Sequence, residues 1–211
     1  GRYYLGEFDG DRFAPETDLL TGDYGANFYA CQSYSDIPST DGRRIQLAWM
    51  RGGEYPGMPF NQQMSFPCEL GLLHTAQGLR LTRLPVREIE SLRSGRIELT
   101  DLTLVNDTVT LPQPGGELFD ITCAFAPGEA SGAGLVIRGA RVEFSPRDRQ
   151  ISCLGCHAPL HLIDGQVRLR ILVDRTSIEV FSEDGLVSMT SCFLPDLQAP
   201  KIALFAAQGA A

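Results

Sequence analysis

Long apolar runs are missing from this 211-residue chain, and so is any excess of positive charge. No stretch approaches the roughly 20 apolar residues of a membrane-spanning helix, so no membrane partner is expected. The opening residues, GRYYLGEF, lack a basic segment followed by an apolar one, as a secretory signal would require. They read instead as the interior of a longer polypeptide. Eighteen basic residues against 26 acidic ones leave a formal net charge of −8. Phosphate binding needs clustered Lys and Arg, so nucleic acid and anionic lipid are disfavoured as partners, whereas neutral sugars are indifferent to that charge. Internal repeats and low-complexity tracts are absent as well. The six cysteines, Cys31, Cys68, Cys123, Cys153, Cys156 and Cys192, are scattered through a chain long enough to need no staples. That pattern suits buried small apolar groups and a reducing compartment.

What the chain does have is a succession of short strand-forming runs broken by turn residues. Tyr3 to Phe8, Phe28 to Tyr34, Ile45 to Trp49, Met64 to Leu73 and Leu79 to Leu84 fill the first 86 residues, with Asp9-Gly10 as the first turn. Runs at this spacing suit a sandwich, barrel or propeller equally. Pro85 to Arg93 has Val86, Ile89 and Leu92 at helical spacing behind a proline, which predicts a short helix and an interdomain linker at 87–95. Beyond it no helix of useful length shows. Ile97, Leu99, Leu102 and Leu104 begin an alternating pattern, and Val167, Leu169, Ile171 and Val173 share one strand face before an Asp174-Arg175 turn and Ile178, Val180 and Phe181. Asp184-Gly185 marks the next turn, so residues 96–211 predict an antiparallel two-sheet sandwich.

The segment from Asp23 to Met50 carries the functional signal. Asp23-Tyr24-Gly25, Asn27-Phe28-Tyr29-Ala30, Asp41-Gly42-Arg43-Arg44 and Ala48-Trp49-Met50 occur in the order and spacing of the late propeller region of glycoside hydrolase family 32. Tyr3 to Glu16 resembles the strand, turn and strand ahead of that region. Gln63 to Leu70 resembles the family's Met-Ser-x-Pro-Arg-Glu-Leu, and Arg168 to Pro195 is similar to the signature of its C-terminal sandwich. The resemblance implies an all-β chain: the last one to two blades of a five-bladed β-propeller in residues 1–86, followed by the antiparallel β-sandwich. It also implies a parent that hydrolyses terminal β-fructosyl bonds of sucrose, inulin or levan type, with no cofactor.

Retaining glycosidases need two carboxyl groups about 5 Å apart. The resemblance places the family's acids in Trp-x-Asn-Asp-Pro-Asn-Gly, Arg-Asp-Pro and Glu-Cys-Pro segments, and none of the three occurs here. No catalytic residue is therefore assigned, and the chain alone is expected to be inactive. The alternative function is a structural, oligomerising or weakly fructan-binding module. A truncated propeller leaves a sheet edge and apolar surface open, so association through residues 1–86 is expected. Trp49 stands where the family lines its sugar pocket, though it also suits a blade core. Tyr29 is placed to tune the missing acid/base Glu or to pack in the sheet, and Asp23 to reach the pocket rim or open a turn. Asn27 replaces a usual Asp, and Cys68 a usual Arg.

Three other features have chemical readings. Cys153-Leu-Gly-Cys156-His157 spells a haem-attachment pattern and half a zinc site, but it falls between predicted strands and reads as a turn. Glu7, Asp9 and Asp11 offer oxygens without the length of a calcium loop. His74 reads as an exposed strand-end histidine. No metal is assigned.

Overall fold

The computed structural model describes residues 1–112 and 115–210 and is built almost wholly of antiparallel strands. Two small hairpin-like pairs come first: β1 (Arg2–Tyr3) with β4 (Leu20–Thr21), and β2 (Gly6–Phe8) with β3 (Phe13–Pro15). A four-stranded sheet follows in the order β5 (Phe28–Ser33), β6 (Arg44–Met50), β7 (Cys68–Thr75) and β8 (Gly78–Pro85). This is one full blade beside fragments of another, a partial propeller. A 3-10 helix at Arg87–Leu92 buries Ile89 and joins it to the rest. Its two turns are tighter than the α-helical period of the sequence suggests, because Ile89 N–H and Arg93 N–H each bond back three residues, to the Val86 and Glu90 carbonyls.

The remaining strands form a sandwich. One sheet has six strands in the order β14 (Cys156–Pro159), β13 (Gln150–Cys153), β12 (Ala140–Ser145), β11 (Gly132–Ile137), β18 (Ile202–Ala210) and β9 (Val105–Thr110). The other orders β10 (Phe119–Phe125), β15 (Val167–Val173), β16 (Ser177–Ser182) and β17 (Ser188–Cys192). Val173 faces Ile178 across the Asp174-Arg175 turn, so the alternation of Val167, Leu169 and Ile171 sends those side chains into one core with Ile178, Val180 and Met189. Leu135, Val142, Phe144 and Ile151 of the opposing sheet close that core.

Two sequence expectations need correction. Residues 96–104 form no strand. Ile97, Leu99 and Leu102 are exposed and only Leu104 is buried, because alternation without a neighbouring strand has no ladder to join. The run from Met64 to Leu73 is not continuous either: Met64 makes one isolated bridge to Trp49, and the strand begins at Cys68.

Strand β16 is buried along its whole length, on both faces. Its second face meets the blade, where Phe181, with Leu172 of the neighbouring β15, packs with Ile45, Cys68, Val86 and Ile89. Antiparallel sheets commonly face water on one side, so burial on both sides means that the sandwich and the blade share a buried seam.

Candidate functional site

A buried polar cluster lies within that seam. The Arg83 guanidinium of β8 donates to Asp23 Oδ2 at 2.8 Å and to Ser188 Oγ at 2.8 Å, with side-chain exposures of 2% for Arg83 and 0% for Asp23. Asp23 Oδ1 accepts from the N–H groups of Gly25 at 2.8 Å and Thr190 at 3.1 Å. The arginine also lies over the Phe28 ring, 4.2 Å from its centroid. Gly25 permits this approach, since a Cβ there would fall 2.2 Å from the backbone of Thr190. The Asp-x-Gly pattern is therefore an interdomain contact, and both Asp23 oxygens are committed to protein donors.

Glu179, fully buried on β16, completes the cluster. Its Oε1 accepts the Phe66 N–H at 2.8 Å. Thr190 Oγ1 lies 2.9 Å from Asp23 Oδ2 and 3.1 Å from Glu179 Oε2. One hydroxyl carries one proton and cannot donate to both carboxylates. A proton on Glu179 resolves the conflict: the acid donates to Thr190, which donates to Asp23. Burial pushes the Glu179 carboxyl up to about 7, in keeping with that arrangement. Cys68 packs beside Arg83, and burial pushes its thiol up to about 12, so it behaves as a small apolar group.

The second feature is exposed. Tyr29 on β5 is paired in register with Trp49 on β6, and their rings meet edge to face with centroids 5.8 Å apart. Tyr29 is half exposed and Trp49 partly so. The Arg51 guanidinium covers the Tyr29 ring at 4.9 Å, and the Trp49 indole N–H donates to Gln62 Oε1 at 2.5 Å. An aromatic face rimmed by an arginine and an amide offers stacking to the apolar side of a sugar ring and hydrogen bonds to its hydroxyls. Two clefts also open along the seam, one around Tyr3, Tyr24 and Arg80 and the other around Glu69, Arg87 and Arg170; Trp49 and Tyr29 line neither.

The structure therefore brings Tyr29 and Trp49 together and leaves Asp23 beneath the surface. Arg83, Glu179, Thr190, Arg51 and Gln62 escape a sequence reading. One signal was available for Glu179, a lone acid inside the apolar run Ile178–Phe181. The remaining motif residues have local roles. Arg43 pairs with Asp41 and with Glu88 of the 3-10 helix, pulling both carboxyls down to about 2, so Asp-Gly-Arg-Arg ties the hairpin tip to that helix. Cys153 faces Cys156 across a two-residue hairpin whose Leu154 and Gly155 both have positive φ, at 50° and 77°. Asp9 caps its own turn by accepting the N–H groups of Asp11 and Arg12. His74 is an exposed residue of β7. Among the described residues no group of three or more His, Cys, Asp or Glu is placed to hold a metal.

Comparison with known proteins covers nearly the whole chain. The profile described as "Glycosyl hydrolases family 32 N-terminal domain" matches residues 1–85, and "Glycosyl hydrolases family 32 C terminal" matches residues 88–211. A levanase of Bacillus subtilis is 35% identical over 240 residues, covering 99% of this chain and 35% of that protein. A sucrose-6-phosphate hydrolase of Zymomonas mobilis is 31% identical over 232 residues, covering 98% of this chain and 44% of its own. The crystal structure of the Aspergillus awamori exo-inulinase superposes with a TM-score of 0.84 at 24% identity, over 99% of this chain and 47% of the other, and supports the fold. The chain thus spans between about a third and a half of the length of these relatives. With both profiles matched in order and the propeller-to-sandwich fold in place, the chain belongs to glycosyl hydrolase family 32.

Proposed function

We propose that these 211 residues are the C-terminal portion of a retaining β-fructosidase that cleaves terminal fructosyl bonds of sucrose, inulin or levan type. The observation that carries this reading is the exposed Tyr29–Trp49 pair at the open edge of the blade. Relatives named for levan, inulin and sucrose 6-phosphate support the substrate class. Trp49 stacks on the fructosyl ring, and the Tyr29 phenol reaches the acid/base carboxyl carried elsewhere in the parent. Asp23 serves the site from beneath, by fixing Gly25 and Arg83. Because the family's three acid motifs lie outside this sequence, the chain supplies a sugar-contacting face and its scaffold but no nucleophile.

Two measurements test this together. The purified chain should release no reducing sugar from sucrose, inulin or levan while melting cooperatively. Its single tryptophan, Trp49, should change emission on titration with levan oligosaccharides. Robust turnover, or a Trp49 signal indifferent to the sugar, would sink the reading.

A second reading concerns self-association. Tyr4, Phe8, Phe13, Tyr29, Leu72 and Leu73 are exposed on residues 1–86, and β5 is an edge strand of its sheet. Both features favour pairing of two copies through this region. Sedimentation should then show a dimer that a charged substitution such as Leu72→Lys weakens; a monomer at all concentrations would exclude it.

A further inference from the structure

Asn27 lies between the seam and the aromatic face and touches both. Its backbone N–H donates to the Thr190 carbonyl at 3.1 Å. Its side chain uses both ends: Oδ1 accepts the Cys192 N–H of the sandwich strand β17 at 2.8 Å, and Nδ2 donates to the Arg51 carbonyl at 2.8 Å. Arg51 is the residue whose guanidinium covers Tyr29. A carboxylate here can accept from Cys192 but meets the Arg51 carbonyl with a second acceptor. An amide is the side chain of this size that satisfies both.

The opposite flank is held from the sandwich as well. Thr176 Oγ1 donates to Gln63 Oε1 at 2.6 Å, and Gln63 is the neighbour of Gln62, which accepts the Trp49 indole N–H. Tyr55 O–H lies 3.4 Å from the Met50 carbonyl and 3.7 Å from Cys192 Sγ. The loop after β6 is thus tied to the β15–β16 turn at Thr176 and to β17 at Cys192, and Asn27 carries the tie from β17 to Arg51 beside the Tyr29–Trp49 face.

We propose that Asn27 is a positioning residue through which the sandwich fixes the geometry of the sugar-contacting face. The proposal rests on the fructosyl-binding reading given above. The sandwich then does more than cover the blade: strand β17 sets where Arg51 and, through it, the Tyr29 ring stand against Trp49.

The single tryptophan makes this testable in the intact chain. Asn27→Asp keeps the size and the Cys192 bond but loses the donor to Arg51. Thr190→Val removes the hydroxyl that meets Asp23 and Glu179 in the same seam but keeps the carbonyl that holds Asn27 N–H, and serves as the comparison. Three readouts are compared: Trp49 emission and acrylamide quenching, the midpoint for levan oligosaccharide, and the melting temperature. Expected for N27D is a changed Trp49 emission and a midpoint about tenfold weaker, the scale of one lost hydrogen bond made worse by repulsion. Expected for T190V is a lower melting temperature with the wild-type Trp49 spectrum. An unchanged Trp49 spectrum in N27D overturns the proposal, as does an equal change in both variants, which would signal general loosening of the seam. If the wild-type tryptophan ignores the sugar, the fructosyl-binding reading fails, while the spectral comparison of N27D with T190V still decides the role of Asn27. Should N27D not fold, Asn27→Ser, whose hydroxyl is too short to span both partners, gives the same comparison.

Discussion

Replacing Arg83 by Met removes the one cation of the seam cluster while keeping most of the side chain's bulk. Asp23 then keeps three donors, from Gly25 N–H, Thr190 N–H and Thr190 O–H, but loses its counter-charge at 0% side-chain exposure. Breaking a buried pair from one side leaves an uncompensated charge and costs about 3–5 kcal/mol. For a chain of this size that corresponds to a melting temperature lower by roughly 6 to 20 °C. The double variant Arg83→Met with Asp23→Asn removes both charges and should recover most of the loss, because a neutral pair has no charge to desolvate. Urea denaturation followed by circular dichroism reads both variants, with the slope checked for an unchanged surface exposure on unfolding. A loss below about 1 kcal/mol for Arg83→Met would refute the reasoning, since losses that small are the signature of a solvated surface pair.

Other outcomes follow from the same geometry. Burial raises the Glu179 carboxyl from 4.5 to about 7, so the folded state binds its proton more tightly than the unfolded chain. The stability it contributes is full below about pH 4.5 and is lost as pH rises through about 7, by up to about 3 kcal/mol; Glu179→Gln should flatten that slope in denaturation measured across the window, and an unchanged slope would place the titration elsewhere. Trp49→Ala should weaken levan-oligosaccharide binding about tenfold by calorimetry with little effect on melting, as expected for a partly exposed stacking face. Cys31 is exposed and should react with a thiol reagent in the native state, whereas the buried Cys68 and Cys153, each with its thiol pushed up to about 12 by burial, should react only on unfolding. Chelators should leave the melting temperature unchanged, because the Cys153–Cys156 hairpin is held by its turn.

The local pattern of the chain is legible where a strand finds its partner a few residues away. Val167 to Phe181 alternates and then turns at Asp174-Arg175, so hydrophobicity and turn chemistry agree on the hairpin. The same rule misleads over Ile97 to Leu104, where alternation occurs without any strand alongside. Family resemblance pointed to Trp49 and Tyr29 because both sit inside one short hairpin, and the register that pairs them is itself local. Asp23 was harder: a residue before a turn and a residue in a buried ion pair look alike when the partner is 60 positions distant.

By itself, the sequence determined the strand-rich class, the turns and the family. These depend on neighbours along the chain or on ordered motifs, which a linear text preserves. Only the tertiary structure decided that β16 is buried on both faces, that Asp23 and Arg83 meet Thr190 and Glu179 in one buried cluster, and that Asn27 joins β17 to Arg51. The period of a strand says which side chains share a face, but what that face meets is set by packing between segments more than 100 residues apart, as between Asp23 and Thr190.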